Sequence, residues 1–389
     1  MLLPISQPGR RVTLFMLVAA GTLVLAALLA VGWRQATSPR GQDNGVDLAL
    51  ARQEGTADPC SPQAQAHGPP NDAYKRGAPG ANGNVPTSPG AYLGVWQPGA
   101  PQDMSQLNAF EQAIGKHVAI VMDWYDWADD SGTLNLNALC NVLAHGSVPL
   151  ITWSPSDFRS GADQSRYSLD NIIAGRFDGY IQGWAEQLAT YGRPVLLRTM
   201  HEMNGTWYPW GQQGDNTPDK YIAAWRHIHD IFTAAGATNV QWVWSPNVIG
   251  DQAADFAAYY PGDQYVDWVG LDGYNFGPQI WRWFAQIFGS SYDRLTALTS
   301  KPLMIAEVGT SEALPQQAAL NDTKAAWITD AFTDEIPKKY PRIRAVVWFN
   351  EDKTNVERNG YDWRVGSSAA ALHAFAAAVA SSYYLSRWP

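Results

Sequence analysis

Two glutamates in this sequence stand where apolar runs end. Glu202 closes the run "RPVLLRTMHE" at 193–202, and Glu307 lies in "KPLMIAEVGT" at 301–310. A carboxylate buried at such a place costs free energy unless it has partners or a task. Two carboxyl groups that face each other across a cleft can cleave a glycosidic bond, one as general acid/base and the other as nucleophile. The pair therefore indicates carboxylate chemistry.

His201, directly ahead of Glu202, raises the alternative of a zinc site. The zinc-protease pattern H-E-x-x-H requires a second histidine at position 205, where the sequence has Gly205. The segment also has the pattern of a strand end followed by a turn, so one helix face would not carry two ligands. His227 and His229 are two positions apart on a helical stretch and point to different faces. We therefore expect no metal among the site residues.

From residue 91 onwards, short apolar or aromatic runs alternate with amphipathic stretches. The runs occupy residues 92–96, 117–127, 148–155, 193–202, 239–247, 266–275, 301–310 and 344–352. Near-continuous apolar strands separated by helices are typical of a parallel sheet that is covered on both faces. Eight such units predict an α/β fold, a single (β/α)8 TIM barrel over residues 91–389. No glycine-rich nucleotide loop follows a strand, so we expect no cofactor.

The active site of such a barrel lies at the C-terminal ends of its strands. Beside the two glutamates, the polar and aromatic residues at those ends are Asp123, Asp126, Trp153, His201, Trp244, Asn247, Asp272, Tyr274, Trp348 and Asn350. The cluster "DWYDWADD" at 123–130 leaves two alternatives open. It predicts either sugar contacts through Asp123, Trp124 or Trp127, or a calcium site.

The segment "RTMHEMNGTWYPWG", followed about a hundred residues later by "IAEVGT", resembles glycoside hydrolase family 26. That family comprises retaining endo-glycanases, mostly β-mannanases, on a (β/α)8 barrel. The resemblance covers roughly residues 91 to 389. It implies that Glu202 is the general acid/base and that Glu307 is the nucleophile.

The resemblance also implies roles for the neighbours of the two glutamates. His201 would contact the sugar, Tyr274 would hydrogen-bond the nucleophile, and Trp348 would stack under the sugar. Trp207 and Trp210 would line the cleft beside the acid/base. The remaining substrate-binding candidates are Asn247, Trp153, Asp123 and Trp124. For the acid role, aromatic walls and a nearby like charge are expected to raise the pKa of Glu202.

The substrate that these expectations favour is β-1,4-mannan, with mixed-linkage β-glucan, β-1,3-xylan and an exopolysaccharide of the host left open. Transglycosylation through the same residues is a further alternative. So is a non-catalytic polysaccharide-binding or export protein that keeps the aromatic cleft. In a purely structural interpretation, either glutamate would be a carboxylate paired with an arginine such as Arg198.

Composition supports a neutral, flat-faced ligand. The chain has 389 residues and 18 tryptophans, more than scattered core positions explain. The balance of 27 Lys and Arg against 36 Asp and Glu, with no long basic run, argues against a nucleic-acid partner. We expect a monomer. Trp225 and Trp327 are expected in the core, whereas Trp242 and Trp268 fit either core or cleft.

The N-terminal part of the sequence predicts a segment that tethers the barrel to a membrane. Residues 12–33 are uncharged and follow Arg10 and Arg11, which predicts a transmembrane signal anchor with residues 1–11 in the cytoplasm. Cleavage as a signal peptide near 30–32 and secretion is the alternative. The Pro- and Gly-rich residues 34–90 are expected to form a disordered linker. Cys140 is expected to be a small core residue, although export would permit a Cys60–Cys140 bridge.

Overall fold

The computed structural model describes residues 59–60, 89–128, 132–250, 253–277, 280–312, 323–354 and 360–389. The predicted membrane span at 12–33 and nearly all of the predicted linker at 34–90 lie outside these residues. Within the described ranges, no helix combines the length and the apolar character needed to cross a bilayer.

Nine strands and nine α-helices alternate along the described chain. The strands are β1 (Ala91–Trp96), β2 (Ile120–Asp126), β3 (Val148–Ser154), β4 (Val195–Thr199), β5 (Val240–Trp244), β6 (Trp268–Asn275), β7 (Leu303–Thr310), β8 (Ile343–Phe349) and β9 (Tyr384–Leu385). The helices are α1 (Ser105–Ile114), α2 (Leu136–His145), α3 (Leu169–Ile173), α4 (Asp178–Tyr191), α5 (Pro218–Ala234), α6 (Phe284–Leu298), α7 (Lys324–Thr329), α8 (Ile336–Lys339) and α9 (Ala369–Val379). A π-helical turn (Asp330–Glu335) joins α7 to α8.

The first eight strands close into a parallel barrel. Each pairs with its sequence neighbour from β2 through β8, and β1 pairs with both β8 and β2. The short β9 adds to the start of β1. The predicted TIM barrel is confirmed, and its parallel strands place the ends of all eight runs on one face.

Local sequence explains where the covering helices begin and end. At α2, the Asn135 side chain accepts a hydrogen bond from the Ala138 amide at 3.1 Å. Gly146 ends the helix with a φ of 85°, a left-handed conformation that glycine adopts without steric cost. At α5, Thr217 caps the helix and Pro218 occupies its first turn. These caps fix the helices that return the chain to the start of each strand.

Strand alternation sorts the side chains into an inner and an outer layer. The inner layer includes Ile120, Met122, Leu150, Leu196 and Val347. At the start of the strands, Trp388 packs against Tyr92 and Trp268, with ring centroids 4.5 and 6.0 Å apart. Trp268 is therefore core, and it closes the barrel at the end away from the glutamates.

The outer layer holds most of the tryptophans between sheet and helices. Trp225 and Trp327 are fully buried there, as expected. Trp242 joins them, since its ring lies 5.1 Å from Phe232 of α5. Most of the tryptophan excess therefore serves the interface between barrel and helices.

Two predicted sugar-binding residues lie in this outer layer. Trp153 packs against Tyr180 and Trp184 of α4. Trp348 is fully buried against Phe332 and Phe375 on the helical side. The expected sugar contacts do not fit these placements, because alternation along each strand turns both rings away from the barrel interior.

A disulfide joins Cys60 to Cys140 of α2. The bridge that export would permit is therefore present, and Cys140 is not a free core cysteine. It attaches the segment that precedes the barrel to the helical layer.

Replacing Trp348 with Ala tests its assignment to the outer layer. Removing a buried indole from a packed interface lowers the free energy of unfolding by about 3–5 kcal/mol. Urea unfolding followed by circular dichroism measures this loss. The exposed Ile280 provides the control, since Ile280→Ala is expected to change stability by less than about 0.5 kcal/mol. Equal small losses in both variants would contradict the assignment.

Candidate active site

The backbone at the end of β4 is strained. Met200 has a φ of 43° and Glu202 a φ of 52°, both in the left-handed region that side chains other than glycine rarely adopt. The Glu202 amide donates to the Ser245 carbonyl at 2.7 Å, which holds this geometry against the next strand. Strain of this kind persists only where surrounding structure enforces it, and it is concentrated at functional sites.

The Glu202 carboxyl accepts two neutral donors. Asn247 Nδ2 lies 2.8 Å from Oε1, and Trp207 Nε1 lies 2.6 Å from Oε2. Gly205 makes the second contact possible. A Cβ at that position would stand 2.3–2.5 Å from the Trp207 ring, so only glycine lets the indole fold back over the chain.

The environment raises the pKa of Glu202 to about 7. Burial is the main cause, and the negative charge of Glu307 adds to it. The hydrogen bonds from Asn247 and Trp207 and the charge of Arg198 act in the opposite direction. The direction is the one expected for an acid, although Trp207 lowers the pKa through its N–H and does not act only as an apolar wall.

A β-bulge turns Glu307 into the barrel. Along β7 the inner layer includes Ala306, and the outer layer includes both Ile305 and Val308. The pairing of β7 with β8 shifts register between Ile305 and Val308. Two consecutive residues, Ala306 and Glu307, therefore face inward. Regular alternation would have turned Glu307 towards the helices.

Two donors hold the Glu307 carboxylate. Tyr274 donates its hydroxyl proton to Oε2 at 2.5 Å, as the resemblance implied. Arg198 donates to Oε1 and forms an ion pair with it. Burial and the charge of Glu307 raise the pKa of Tyr274 well above its usual range, so this phenol remains a donor.

Arg198 is fully buried on β4 and connects four strands. Its guanidinium bonds both oxygens of Asp272 at 3.1 Å and the Thr152 hydroxyl at 2.8 Å, in addition to Glu307. It also lies 5.3 Å from the ring centre of Trp124. Glu307 is thus paired with Arg198, as the purely structural interpretation expected. The same ion pair also holds Glu307 beneath the opening of the barrel.

His201 is buried with both ring nitrogens free of hydrogen bonds to the described residues. Aromatic rings enclose it: Trp124 at 5.1 Å, Tyr208 at 4.5 Å and Trp210 at 5.7 Å between ring centres. Burial, with a smaller contribution from the positive charge of Arg198, lowers its pKa well below the usual range. The neutral ring offers one donor and one acceptor for a ligand.

The substrate-binding candidates Trp124, Asp123 and Trp210 lie in three different environments. Trp124 belongs to the inner layer and faces the site. The Asp123 carboxylate accepts from Gln102 at 3.0 Å and from the Trp124 amide, on the outer face of β2, so a sugar contact does not fit. Trp210 is fully buried behind His201 and donates to its carbonyl at 2.6 Å, so it supports the cleft and does not line it. The alternative calcium site at 123–130 extends into positions 129 and 130, outside the described residues.

Loops after β6 and β8 add aromatic residues that the sequence analysis missed. The Trp363 ring lies 4.9 Å from Tyr274 and 5.0 Å from Tyr361. Phe276, which is exposed, lies 5.3 Å from Tyr361. These residues have no periodic spacing in the sequence, so only the folded loops reveal that they form a wall beside Glu307.

Asp272 and Arg198 are recognisable in the sequence, but their importance for holding Glu307 is not. An arginine inside the apolar run "VLLRT" is itself a signal of a buried ion pair. The sequence does not show which carboxylates it meets, because Asp272 and Glu307 lie on other strands. Among the described residues, this arrangement suits proton transfer by Glu202 and attack by a fixed Glu307.

Comparison with known proteins agrees with this geometry. Endoglucanase H of Acetivibrio thermocellus is 36% identical over 300 residues, which is 75% of this chain but 30% of that protein. Mannan endo-1,4-beta-mannosidase of Bacillus subtilis is 29% identical over 278 residues, which is 64% of this chain and 70% of that protein. This chain therefore spans less than a third of the A. thermocellus protein.

A solved structure of a Cellulomonas fimi endo-beta-1,4-mannanase double mutant shares the fold. It has a TM-score of 0.57 at 19% identity and covers 76% of this chain and 72% of that chain. The sequence model of the family described as glycosyl hydrolase family 26 matches residues 103–346. Since that match spans more than half of the chain, the protein belongs to glycosyl hydrolase family 26.

Proposed function

We propose that this protein is a retaining endo-β-glycosidase with Glu202 as acid/base and Glu307 as nucleophile. The observation that carries the proposal is the different environment of two buried glutamates at one barrel mouth. Glu202 is held by neutral donors and has a pKa raised to about 7, so it can carry a proton. Glu307 is held by a cation and a phenol, which suits an anionic nucleophile.

The reaction takes two displacements. In the first, a Glu307 oxygen attacks the anomeric carbon while the Glu202 proton passes to the departing glycosidic oxygen. In the second, Glu202 removes a proton from water, the resulting oxygen attacks the same carbon, and the bond to Glu307 breaks. His201 supplies a donor and an acceptor for hydroxyl groups of the sugar, and Trp124 forms the wall beside it.

The leading substrate is β-1,4-mannan, for which several relatives are named. A β-glucan is the second candidate, because the A. thermocellus endoglucanase has the higher identity, 36% against 29%. An exopolysaccharide of the host is a third candidate, motivated by the predicted anchor. The hydrolase reaction itself is common to all three.

A substrate panel with nucleophile variants tests the reaction and the substrate together. We expect reducing ends from mannan above lichenan, β-1,3-xylan and host polymer, and a loss of turnover of about 10⁴-fold or more in Glu307→Ala. Glu307→Gln, the isosteric control, should be equally inactive but still bind the polymer. Binding without hydrolysis in the wild type would instead favour the non-catalytic alternative, and chain lengthening would favour transglycosylation.

Azide distinguishes the two carboxylate roles. With an activated aryl glycoside, Glu202→Ala should form a glycosyl azide that keeps the β configuration, because azide resolves the covalent intermediate. Glu307→Ala should give the α azide, because azide then attacks in place of the missing carboxylate. The same product configuration from both variants would contradict the assignment.

The hydrogen bond from Trp207 predicts a shift in the pH profile. Trp207→Phe removes a donor that favours the charged form of Glu202, so the pKa of Glu202 rises. Since the acid is active when protonated, the basic limb of kcat/KM, set near 7 in the wild type, should move to higher pH. Trp225→Phe, which removes an indole donor in the outer layer, should leave the limb unchanged. A downward shift for Trp207→Phe would contradict the assigned hydrogen bond.

The proposal extends to location: residues 12–33 anchor a monomeric catalytic domain outside the cytoplasmic membrane. The disulfide to Cys140 supports an oxidising compartment, where such bonds persist. After cell fractionation, the full chain should resist carbonate extraction and be digested by added protease. A soluble exported product whose first residue lies near position 33 would identify a cleaved signal peptide instead. Sedimentation of the barrel domain checks the monomer.

A further inference from the structure

A second cluster of ionisable side chains lies at the opposite end of the barrel from the two glutamates. Glu111 is in the last turn of α1, His117 precedes β2, and His145 is the last residue of α2. All three stand where helices lead into strands. Neither the glycosidase mechanism nor the strand pattern requires them there.

We propose that Glu111, His117 and His145 form a binding site for a divalent transition-metal ion, with Zn²⁺ as the best-matched ion. Glu111 Oε2 lies 3.1 Å from both His117 Nδ1 and His145 Nε2. The three ligand atoms all lie within 4.8 Å of one another. Ligands about 2.0–2.2 Å from a tetrahedral zinc are themselves about 3.3 Å apart, so small side-chain movements suffice for coordination.

The hydrogen bonds around His145 direct its Nε2 atom towards Glu111. Ser147 Oγ donates its one proton to the Val118 carbonyl at 2.6 Å, so it can only accept from His145 Nδ1, 2.9 Å away. Nδ1 therefore carries a hydrogen, and Nε2 is the nitrogen that faces the carboxylate. Two acceptors at 3.1 Å repel each other unless a proton or a metal ion lies between them.

His117 presents its Nδ1 edge to the same carboxylate oxygen. Its Nε2 edge faces Gly146, where a Cβ would lie 3.9 Å from Nε2 and 3.7 Å from Arg387 Nη1. The two imidazole rings stack with centres 4.1 Å apart and an angle of 28°, and one nitrogen of each ring approaches the same carboxylate oxygen. One divalent ion can thus accept all three ligand atoms, one from each side chain.

The surroundings of the three ligands resemble those of metal sites. The Val118 amide donates to Glu111 Oε1 at 2.7 Å and leaves Oε2 free to coordinate, while Ser147 fixes the tautomer of His145. Two imidazoles and one carboxylate suit zinc better than calcium or magnesium, which prefer all-oxygen sites. The His117 side chain is 28% exposed, so the three ligands lie near the protein surface.

A bound ion would tie together the end of α1, the entry to β2 and the end of α2. Helix α2 also carries Cys140, so the ion and the disulfide hold the same helix at two points. The site is therefore structural, and it is independent of the proposed glycosidase function.

Zinc titration of the metal-free full chain tests the proposal. After dialysis against a chelator, calorimetry should detect one Zn²⁺ per chain. His117→Ala and His145→Ala should each weaken binding at least 100-fold, and Ser147→Ala about 10-fold or more, as loss of a ligand-orienting group does. His227→Ala is the matched control, because His227 pairs with Asp178 at 2.7 Å and belongs to no cluster of three metal-ligating side chains among the described residues. The zinc affinity of this variant should equal that of the wild type.

Two further measurements keep the test independent of folding defects in the variants. Co²⁺ bound to the wild type should give the visible absorption of a tetrahedral ion. Zn²⁺ should raise the Tm of the wild type, and His117→Asn, which keeps a polar side chain, should lose most of that shift. The absence of stoichiometric binding in the wild type, or unchanged affinity in both histidine variants, would overturn the proposal and leave a hydrogen-bonded cluster with protons in place of the ion. Glycosidase turnover should be the same with and without the chelator.

Discussion

The site depends on the ion pairs and hydrogen bonds that the buried guanidinium group of Arg198 makes. It lies in the interior of a barrel whose lower layers are apolar, and such a charge is stable there only when it is paired. Asp272 and Glu307 provide the pairing from β6 and β7, and Thr152 extends the contact to β3. One ion cluster thereby links strand packing, the position of Glu307 and the electric field at Glu202.

The different roles proposed for the two glutamates follow from what surrounds each carboxyl group. Identical side chains on β4 and β7 differ because one meets neutral N–H donors and the other meets a cation. The charge of Glu307 then contributes to keeping Glu202 protonated. The negative charge of Glu307 thus favours the protonated form of Glu202, so two identical side chains can serve as nucleophile and acid at the same pH.

The sequence patterns predict the barrel because the apolar residues of the eight runs and of the helices between them are the residues buried in the fold. They also pointed to Glu202, Glu307 and Tyr274, which end strands in recognisable motifs. The patterns were less informative about which way a side chain faces. Trp348 and Trp153 were expected in the cleft but lie against helices, since one position along a strand reverses the direction. Partners on distant strands, such as Asp272 for Arg198, and loop aromatics such as Trp363 depend on tertiary contacts that no local pattern contains.

The bulge in β7 determines the direction in which the Glu307 side chain points. The side chain points inward because the strand holds one residue more than its neighbour between Ile305 and Val308. If the same residues were paired without the bulge, regular alternation after Ala306 would turn the carboxylate into the helical layer and bring Val308 to the barrel mouth. The position of the carboxylate therefore depends on how β7 is paired with β8 as much as on the presence of a glutamate at position 307.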